Sequence, residues 1–260
     1  MVKPERSGEV VAPASVSVQS VTRAFRLLDL LADEGGSLSL TELAASTGLP
    51  APTIHRLMRS LVAGGHVRQE ASRRYALGPR LIRLGEVAGQ ALGSWAKPYL
   101  AELVQRIGET ANLALLEADS VVYVAQVPSP HAMRMFTEVG RHVMPHSTGV
   151  GKALLSCLDD AEAVRIVRGT GMPARTESTI TSEPQLLAEL HAVRSSGYAV
   201  DNEEQEVCVR CVAVPVAINE ARIAVSVSGP SARLTSERVP HIAGVLASVA
   251  ERMAASDLSA

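Results

Sequence analysis

The sequence predicts an α+β protein of two domains, a small helical N-terminal domain that carries a β-hairpin and a larger C-terminal domain of strands and helices. Apolar residues recur at helical spacing up to about residue 107 and alternate as in strands after it. The 260 residues are enough for two domains. Because 47% of the residues are hydrophobic and only 3% are aromatic, we expect aliphatic cores of Leu, Val and Ala.

The first predicted element is a helix over residues 18–32. Its apolar residues fall on one helical face, at Val21, Ala24, Phe25, Leu28 and Leu31. Residues 1–16 mix Pro, Ser, Val and charged residues without a period, and this composition predicts a flexible tail.

Residues 39–61 predict two short helices. Ser39 lies three residues before Glu42, the spacing of a capping box, and Gly48 ends the first helix. The second helix has an apolar stripe and a basic outer face, formed respectively by Ile54, Leu57, Met58 and Leu61 and by His55, Arg56 and Arg59. The pattern is typical of a helix-turn-helix. The alternative interpretation is a surface helical hairpin whose arginines serve solubility.

A short hairpin follows the second helix. Residues 66–69 and 74–78 have the composition of strands, and residues 70–73 between them form a polar turn. A hairpin directly after a helix-turn-helix is the wing of a winged helix-turn-helix domain. Three arginines of this hairpin stand where a wing would touch DNA phosphates: Arg68, Arg73 and Arg74.

A helical linker is predicted after the wing. Residues 80–91 continue at helical spacing, Gly93 and Ser94 indicate a break, and residues 97–107 form another amphipathic helix. We therefore expect a tail at 1–16, a winged helix-turn-helix domain at 17–79, a linker helix at 80–93 and a second domain at 94–260.

The second domain alternates between strands and helices. The predicted strands are residues 110–117, 120–127, 131–139, 197–201, 207–216 and 222–228. The predicted helices are residues 149–158, 159–167, 184–195 and 237–255. An antiparallel sheet flanked by helices indicates an α+β sensor-like domain.

The charges, the hydropathy and the cysteines of the chain bear on which class of protein it is. The net charge is −2, but residues 17–85 carry nine arginines and five acidic residues, which suits a DNA-binding domain on an acidic body. The chain shows neither a membrane span nor a signal peptide pattern, so we expect a cytoplasmic protein. Cys208 and Cys211 lie three apart in a predicted strand and face opposite sides, which disfavours metal or redox use. We expect neither a metal nor a cofactor.

Motifs along residues 18–255 resemble those of one family of bacterial transcription factors, the isocitrate lyase regulator (IclR) family. The matching motifs, in chain order, are RAFRLLDLLA, LTELAASTGLPAPTIHRLMRSLVAGGHV, RYALGPRLIRLG, TGVGKALL, GYAVDNEE, CVAVPV and VSVSGPSARLT. The resemblance implies a winged helix, a linker helix and a GAF-like effector domain. It also implies homodimers formed through the N-terminal domains, frequent dimers of dimers, and binding to palindromic operators in double-stranded DNA, usually as a repressor.

The resemblance also places the DNA-contacting residues on the second helix and its surroundings. The implied set is Thr41, Ala51, Pro52, Thr53, His55, Arg56, Arg59, Arg73 and Arg74. Ala51 and Pro52 stand where many relatives have polar residues, and they offer only apolar contact to a base, for instance to a thymine methyl group.

Within the family, the resemblance is nearest to the branch that senses glyoxylate and pyruvate, and it implies a small 2-oxo acid as effector. The implied effector-binding residues are Met135, Val143, Gly149, Val150, Asp201, Val209, Cys211, Ser226 and Ser228. Independently of the family resemblance, the residue types themselves suit the binding of a small carboxylate. Gly149 begins a helix whose free N–H groups can hold a carboxylate, and Ser226 and Ser228 share one strand face. Each residue alone also has an ordinary structural interpretation.

Three functional hypotheses stay open at this point. The first is a repressor that responds to a small organic acid such as glyoxylate, with allantoin and purine catabolism or glyoxylate metabolism under its control. The second is an activator of the same family that responds to a different small carboxylate. The third is an enzyme with Cys211 as nucleophile, His146 as base and Asp201 as orienting acid. It is disfavoured, because a thiolate in the middle of an apolar strand is poorly stabilised.

Overall fold

The computed structural model describes residues 18–117, 119–135, 139–218 and 221–256. The predicted tail at residues 1–16 lies outside the described residues. The chain divides into two compact units between Val87 and Ala88. Together they confirm the predicted winged helix-turn-helix and α+β fold classes.

The N-terminal unit contains three helices and a three-stranded antiparallel sheet. In chain order its elements are α1 (Gln19–Asp33), β1 (Ser37–Leu38), α2 (Leu40–Thr47), α3 (Ala51–Ala63), β2 (Val67–Gln69) and β3 (Tyr75–Leu77). The strand order in the sheet is β1-β3-β2. Strands β2 and β3 form the predicted wing.

The turn between α2 and α3 follows from local chemistry. Ser39 Oγ accepts a hydrogen bond from Glu42 N at 3.3 Å, and Glu42 Oε2 accepts one from Ser39 N at 2.7 Å, which completes the predicted capping box. Gly48 ends α2 with a φ of 67°, a left-handed conformation that glycine adopts at low cost. Helix α3 then begins after Pro50 with Pro52 in its first turn.

The aliphatic core of this unit is smaller than the sequence predicts. It contains Leu27, Leu28, Leu31, Leu38, Leu43, Ile54, Met58, Val67 and Tyr75. Val21 and Phe25 lie on the predicted apolar face of α1 but are 51% and 62% exposed, so this face is only half covered.

The predicted break at Gly93 and Ser94 is wrong. One helix, α4, runs from Arg80 to Ile107 with Pro98 inside it. Interior glycine and proline cost a helix about 1 and 3 kcal/mol. The second half of α4 offsets this cost by packing, because Ala96, Leu100 and Leu103 are fully buried in the core of the second unit.

The second unit is built on a six-stranded antiparallel sheet. Its strands are β4 (Thr110–Glu117), β5 (Ser120–Val127), β6 (His142–Val143), β7 (Ala199–Asn202), β8 (Val209–Ile218) and β9 (Ala221–Pro230). Their order is β6-β5-β4-β9-β8-β7. The helices are α5 (Gly149–Ser156), α6 (Asp160–Thr170), α7 (Glu183–Ser196) and α8 (Val239–Ala255), with a 3-10 turn at Ser236–Arg238.

The two faces of this sheet have different neighbours because successive side chains of a strand point to opposite sides. One face packs Leu113, Val212, Val225 and other aliphatic residues against α4 and α8. The opposite face packs against α5 and the helices next to it. This second face also carries a row of polar side chains, and it holds the site described below.

The predicted strand at residues 131–139 is wrong where the structure describes it. Residues 131–133 form a bend, and residues 136–138 lie outside the described residues. The bend is fixed by side chains rather than by a strand ladder, since Thr110 Oγ1 donates to Met135 O at 3.0 Å and His131 N donates to Ser129 Oγ at 3.2 Å. Within the described part of the chain, no helix has the length and apolar character needed to cross a membrane.

Candidate functional site

The basic face of α3 is presented to solvent. His55, Arg56 and Arg59 are exposed, while Ile54 and Met58 on the opposite side are fully buried in the core. Of the other predicted DNA-binding residues on this part of the chain, Thr41, Ala51 and Pro52 are exposed and Thr53 is half-buried. Core packing therefore sets which side of α3 is available for recognition.

Of the three predicted wing arginines, Arg68 is exposed on β2, and the adjacent Arg73 and Arg74 have different surroundings. Arg73 is exposed at the turn between β2 and β3, with a φ of 64°. Arg74 turns inward: its Nη2 lies 2.7 Å from Ser37 O and 2.9 Å from Glu42 Oε2, and its Nε donates to Ser37 Oγ at 3.2 Å. Arg74 thus ties the wing to β1 and the start of α2, a long-range role that the sequence does not reveal.

In the second unit, a pocket lies between the polar face of the sheet and the start of α5. Its volume is about 90 Å³. It is lined by Tyr123, Met135, Arg141, Val143, Thr148, Asp201, Gln205, Glu206, Val209, Cys211 and Ser228. We call this space the effector pocket, because the family resemblance implies effector binding by residues that line it. Six of the nine effector-binding residues predicted from the sequence line it: Met135, Val143, Asp201, Val209, Cys211 and Ser228.

Strand register brings the polar residues of the pocket together. Asp201 on β7 pairs with Cys211 on β8, and Cys211 pairs with Ser228 on β9. Directly opposed residues of an antiparallel sheet share a face, so these three side chains form a row. All three are buried, with exposures of 3%, 4% and 4%.

The start of α5 faces this row. Thr148 caps the helix by accepting a hydrogen bond from Gly151 N at 3.2 Å. A helix leaves its first N–H groups without an intrahelical acceptor, and here these include the N–H groups of Gly149 and Val150. Their partial positive charge makes the start of α5 suited to an anion such as a carboxylate.

Three predicted residues do not line the pocket. A Cβ on Gly149 would lie 2.9 Å from Cys211 Sγ, so this residue contributes close backbone approach rather than a side chain. Val150 is fully buried in the core with Ala114 and Leu154. Ser226 pairs with Ala213, two pairs further along the sheet and on the same face, and its buried Oγ forms no hydrogen bond within the described part of the chain.

Sequence reasoning missed five residues that line the pocket: Tyr123, Arg141, Thr148, Gln205 and Glu206. For Thr148 the signal was available, since a threonine directly before Gly149 is a typical N-cap. For Tyr123 it was weaker, a single tyrosine in a strand of aliphatic residues. The other three come from loops, whose positions depend on long-range contacts.

A buried relay orients Ser228. Gln126 Nε2 donates to Asn112 Oδ1 at 3.0 Å, which fixes the direction of the Asn112 amide, and Asn112 Nδ2 donates to Ser228 Oγ at 3.4 Å. Because Ser228 accepts from Asn112, its own O–H can donate, either to the neighbouring Cys211 or to an acceptor in the pocket.

Asp201 shapes the loop that closes one side of the pocket. Its Oδ1 accepts hydrogen bonds from Glu204 N at 2.8 Å and Gln205 N at 3.3 Å. Burial, with a smaller contribution from the neighbouring Glu204, raises the pKa of Asp201 to about 7. The carboxyl group is therefore partly protonated near neutral pH.

A buried ion cluster holds the same loop against α5 and α7. Lys152 is fully buried, and its Nζ lies 2.5 Å from Glu204 Oε1 and 3.0 Å from Glu189 Oε1. Burial raises the pKa of Glu204, and Lys152 opposes this shift. Within the described residues, no group of three or more His, Cys, Asp or Glu side chains is arranged to hold a metal ion.

Comparison with known protein families decides the identity. The model of the IclR helix-turn-helix domain matches residues 20–71, and the model of the bacterial transcriptional regulator IclR C-terminal domain matches residues 86–255. The chain belongs to the IclR family of transcriptional regulators.

Individual IclR-family proteins match along most of their length. The transcriptional repressor IclR of Escherichia coli K12 is 34% identical over 93% of this chain and 91% of its own. The transcriptional repressor AllR of the same organism is 31% identical over 90% of this chain and 88% of its own. The crystal structure of an IclR regulator from Alicyclobacillus acidocaldarius has a TM-score of 0.79 and 30% identity, and covers 92% of this chain and 98% of its own.

The IclR family and these relatives are transcriptional regulators, not enzymes. The surroundings of Cys211 agree with this. Burial, with a contribution from Asp201, raises the pKa of its thiol to about 11, so the thiolate needed for nucleophilic attack is scarce. His146 does not line the pocket, and its Nε2 lies 3.2 Å from Pro173 O.

Proposed function

We propose that this protein is a transcriptional repressor whose binding to a palindromic operator is controlled by a small organic acid. One combination of features carries the proposal. The same chain has an exposed basic face on a helix-turn-helix and, in its second unit, a largely buried polar pocket at the start of a helix. A site for DNA and a site for a small anion in one chain are what effector-controlled DNA binding requires.

The DNA-binding role rests on the exposed face of α3 and on the wing. Arg56 and Arg59 are exposed and would reach base edges or phosphates in the major groove, with His55 beside them. Arg73 at the tip of the wing supplies a phosphate contact. Arg74 supports the wing from within, and the remaining proposed contacts lie at the starts of the two helices, at Thr41, Ala51, Pro52 and Thr53.

Exposed apolar side chains of the N-terminal unit support a homodimer. Val18, Val21 and Phe25 form a stripe along the start of α1, and they are 60%, 51% and 62% exposed. The first turns of α4 expose Ile82, Leu84 and Val87 as well. We propose that a second copy covers these residues, which places two recognition helices on half-sites about 34 Å apart. Such dimers would pair into tetramers. The proposed domains are a winged helix-turn-helix domain at residues 17–79, a linker helix at 80–93 and an effector-binding domain at 94–260.

The effector pocket suits a small 2-oxo acid such as glyoxylate or pyruvate. The N–H groups of Gly149 and Val150 and the hydroxyl of Ser228 would bind the carboxylate, beside Cys211 and Asp201. Met135, Val143 and Val209 supply apolar contacts. Ser226 lies on the same face of β9 as Ser228, next to the polar row. At a ceiling of about 1.5 kcal/mol per heavy atom, about five atoms provide at most about 7 to 8 kcal/mol, which corresponds to micromolar binding.

The effector choice also suggests which genes are controlled. AllR of Escherichia coli is named a transcriptional repressor and matches this chain over most of its length. We propose allantoin and purine catabolism or glyoxylate metabolism as the regulated processes, because glyoxylate fits the charge and size of the pocket. Effector binding would change the spacing of the two recognition helices through α4 and so lower the affinity for the operator.

A titration tests this proposal. The purified protein is bound to a fluorescent duplex that contains an inverted repeat from the DNA upstream of its own gene, and glyoxylate is added up to millimolar concentration. We expect the anisotropy to fall to that of free DNA. Unchanged binding with glyoxylate, pyruvate and other small acids would contradict effector control, whereas a response to another acid alone would replace glyoxylate.

A further inference from the structure

Two hydrogen-bond donors that line the effector pocket are not needed to bind a 2-oxo acid at the start of α5: the hydroxyl of Tyr123 and the guanidinium of Arg141. Tyr123 lines the pocket and is only 7% exposed, and its hydroxyl forms no hydrogen bond with the described part of the chain. Arg141 lines the same pocket from the segment before β6 and is exposed, and it forms no ion pair with any described residue. The Tyr123 hydroxyl is therefore available to donate to an acceptor bound in the pocket.

The two donors come from other segments of the chain than the polar row. Asp201, Cys211 and Ser228 belong to β7, β8 and β9, whereas Tyr123 belongs to β5. Strand β4 separates β9 from β5, so their backbones are about 10 Å apart at the usual strand spacing of about 4.8 Å. Tyr123 pairs with Ala114 on β4, and Ala114 pairs in turn with Ala224 on β9. Tyr123 therefore enters the pocket from a different strand than the polar row, near enough to Cys211 and Asp201 for their charges to contribute, after burial, to its raised pKa.

Tyr123 and Arg141 both favour a hydrogen-bond acceptor or a negatively charged group as their partner. Burial raises the pKa of Tyr123 well above its usual value, so its hydroxyl stays protonated and donates. Arg141 carries a permanent positive charge, and a guanidinium binds a carboxylate through two parallel hydrogen bonds. Among the described residues that line the pocket, the exposed Glu206 and the buried Asp201 are the acidic groups that oppose this attraction.

From this geometry we infer that the effector is a small dicarboxylate, a narrower class than the organic acid of the proposed function on which the inference rests. One carboxylate binds at the start of α5 beside Ser228. The second lies between the hydroxyl of Tyr123 and the guanidinium of Arg141. The ligand reaches from the buried floor of the pocket to its exposed rim, and its chain of two or three carbons lies against Val143 and Val209.

Isothermal titration of the full-length protein with matched ligands tests this inference. Succinate and its half-amide succinamate have the same shape but differ in the charge of one end. We expect succinate to bind about tenfold more tightly than succinamate. We expect Arg141→Gln to remove this difference and Tyr123→Phe to weaken succinate binding by about threefold to tenfold. Glu206→Gln should strengthen succinate binding, because it removes a like charge from the rim.

Arg134→Gln is the matched control. Arg134 is also an exposed arginine, but it donates to His131 O at 3.2 Å and does not line the pocket, so its loss should change neither affinity. Thermal denaturation of each variant shows whether it folds. Equal affinities for succinate and succinamate, or an Arg141→Gln variant that keeps the difference, would overturn the inference. If glyoxylate still releases the operator in the same samples, the proposed function stands although the inference fails. If no acid releases the operator, both the inference and the proposed function are contradicted.

Discussion

Gly149 at the start of α5 lies directly against Cys211 of β8. A Cβ on Gly149 would be 2.9 Å from Cys211 Sγ and 3.3 Å from the Cys211 carbonyl oxygen, closer than neighbouring atoms normally approach. The absence of a side chain thus lets the N-terminus of α5 reach the polar row of the sheet. This contact sets how far the N–H groups of the helix lie from anything bound in the pocket.

Gly149→Ala should therefore weaken effector binding by at least about tenfold. The added methyl group forces α5 or Cys211 to move, and the N–H groups lose their position relative to Ser228. Calorimetry with glyoxylate or succinate measures the affinity, and operator binding without effector should be unchanged. Gly244→Ala is the control in the same unit, since a Cβ there meets nothing within 4 Å. Unchanged affinity in Gly149→Ala would contradict the proposed anion site.

Effector binding should weaken as the pH rises. Asp201 has a pKa raised by burial to about 7, so its carboxyl group is mostly neutral at pH 6 and mostly ionised at pH 8. An ionised Asp201 repels an anionic ligand, and the fraction in the neutral form falls about tenfold between these pH values. We expect the association constant to fall by about the same factor. Asp201→Asn keeps the oxygen that accepts from Glu204 N and should give a flat profile; a slope equal to that of the unmutated protein would exclude Asp201 as its source.

The raised pKa of Asp201 also predicts how the stability of the protein depends on pH. Its contribution to stability decreases as the pH rises, whereas that of an ion-paired aspartate increases. Between about pH 4 and 7 the folded state retains a proton that the unfolded chain has lost. The contribution of Asp201 to the free energy of unfolding is complete below about pH 4 and is lost as the pH rises through 7. Urea denaturation should show that Asp201→Asn gains stability relative to the unmutated protein as the pH increases from 5 to 8. A difference that does not change with pH would contradict this.

Removing the buried cation of the second unit should be strongly destabilising. Lys152→Met leaves Glu204 buried without its partner, a change that typically costs about 3 to 5 kcal/mol. Lys152→Met combined with Glu204→Gln should recover much of this loss, because no uncompensated charge remains between them. Arg165→Ala breaks the exposed pair with Asp119 and should cost less than about 1 kcal/mol. Urea denaturation of the second unit measures all three; a small effect of Lys152→Met would refute the role of the buried pair.

The two adjacent arginines of the wing should behave differently. Arg73→Ala should leave stability unchanged and reduce the salt dependence of operator binding by about one unit in the slope of log K against log salt. Arg74→Ala should destabilise the N-terminal unit by about 1 kcal/mol, because contacts with Ser37 and Glu42 are lost. Thermal denaturation and anisotropy at several salt concentrations separate the two effects. Identical behaviour of the two variants would contradict the assignment of Arg74 to a structural role.

Local signals were sufficient for much of this fold. The capping box of Ser39 and Glu42 and the left-handed Gly48 act within a few residues, so the bounds of α2 and α3 followed from the sequence. Alternation along β8 and β9 placed Cys211 and Ser228 on defined faces, and register then brought them together. The resemblance to the IclR family supplied the remaining step, from a polar row to an effector site.

Long-range packing accounts for what the sequence did not show. Helix α4 continues through Gly93 and Pro98 because its second half is buried against the sheet, which no local signal reveals. The segment after Ser129 bends because Thr110 binds Met135 O from a neighbouring strand. Tyr123, Arg141 and Arg74 acquire their surroundings from residues far away in the chain, and only the structure shows what lies next to them.

Operator binding by the double variant Arg56→Ala/Arg59→Ala tests the central claim most directly. Anisotropy at moderate salt, without effector, compares a duplex that contains an inverted repeat with a scrambled duplex of the same composition. We predict that the unmutated protein prefers the inverted repeat and that the double variant loses at least about a hundredfold in affinity for it, with its thermal stability unchanged. A double variant that binds the repeat as tightly as the unmutated protein, or an unmutated protein without any preference for it, would contradict the account.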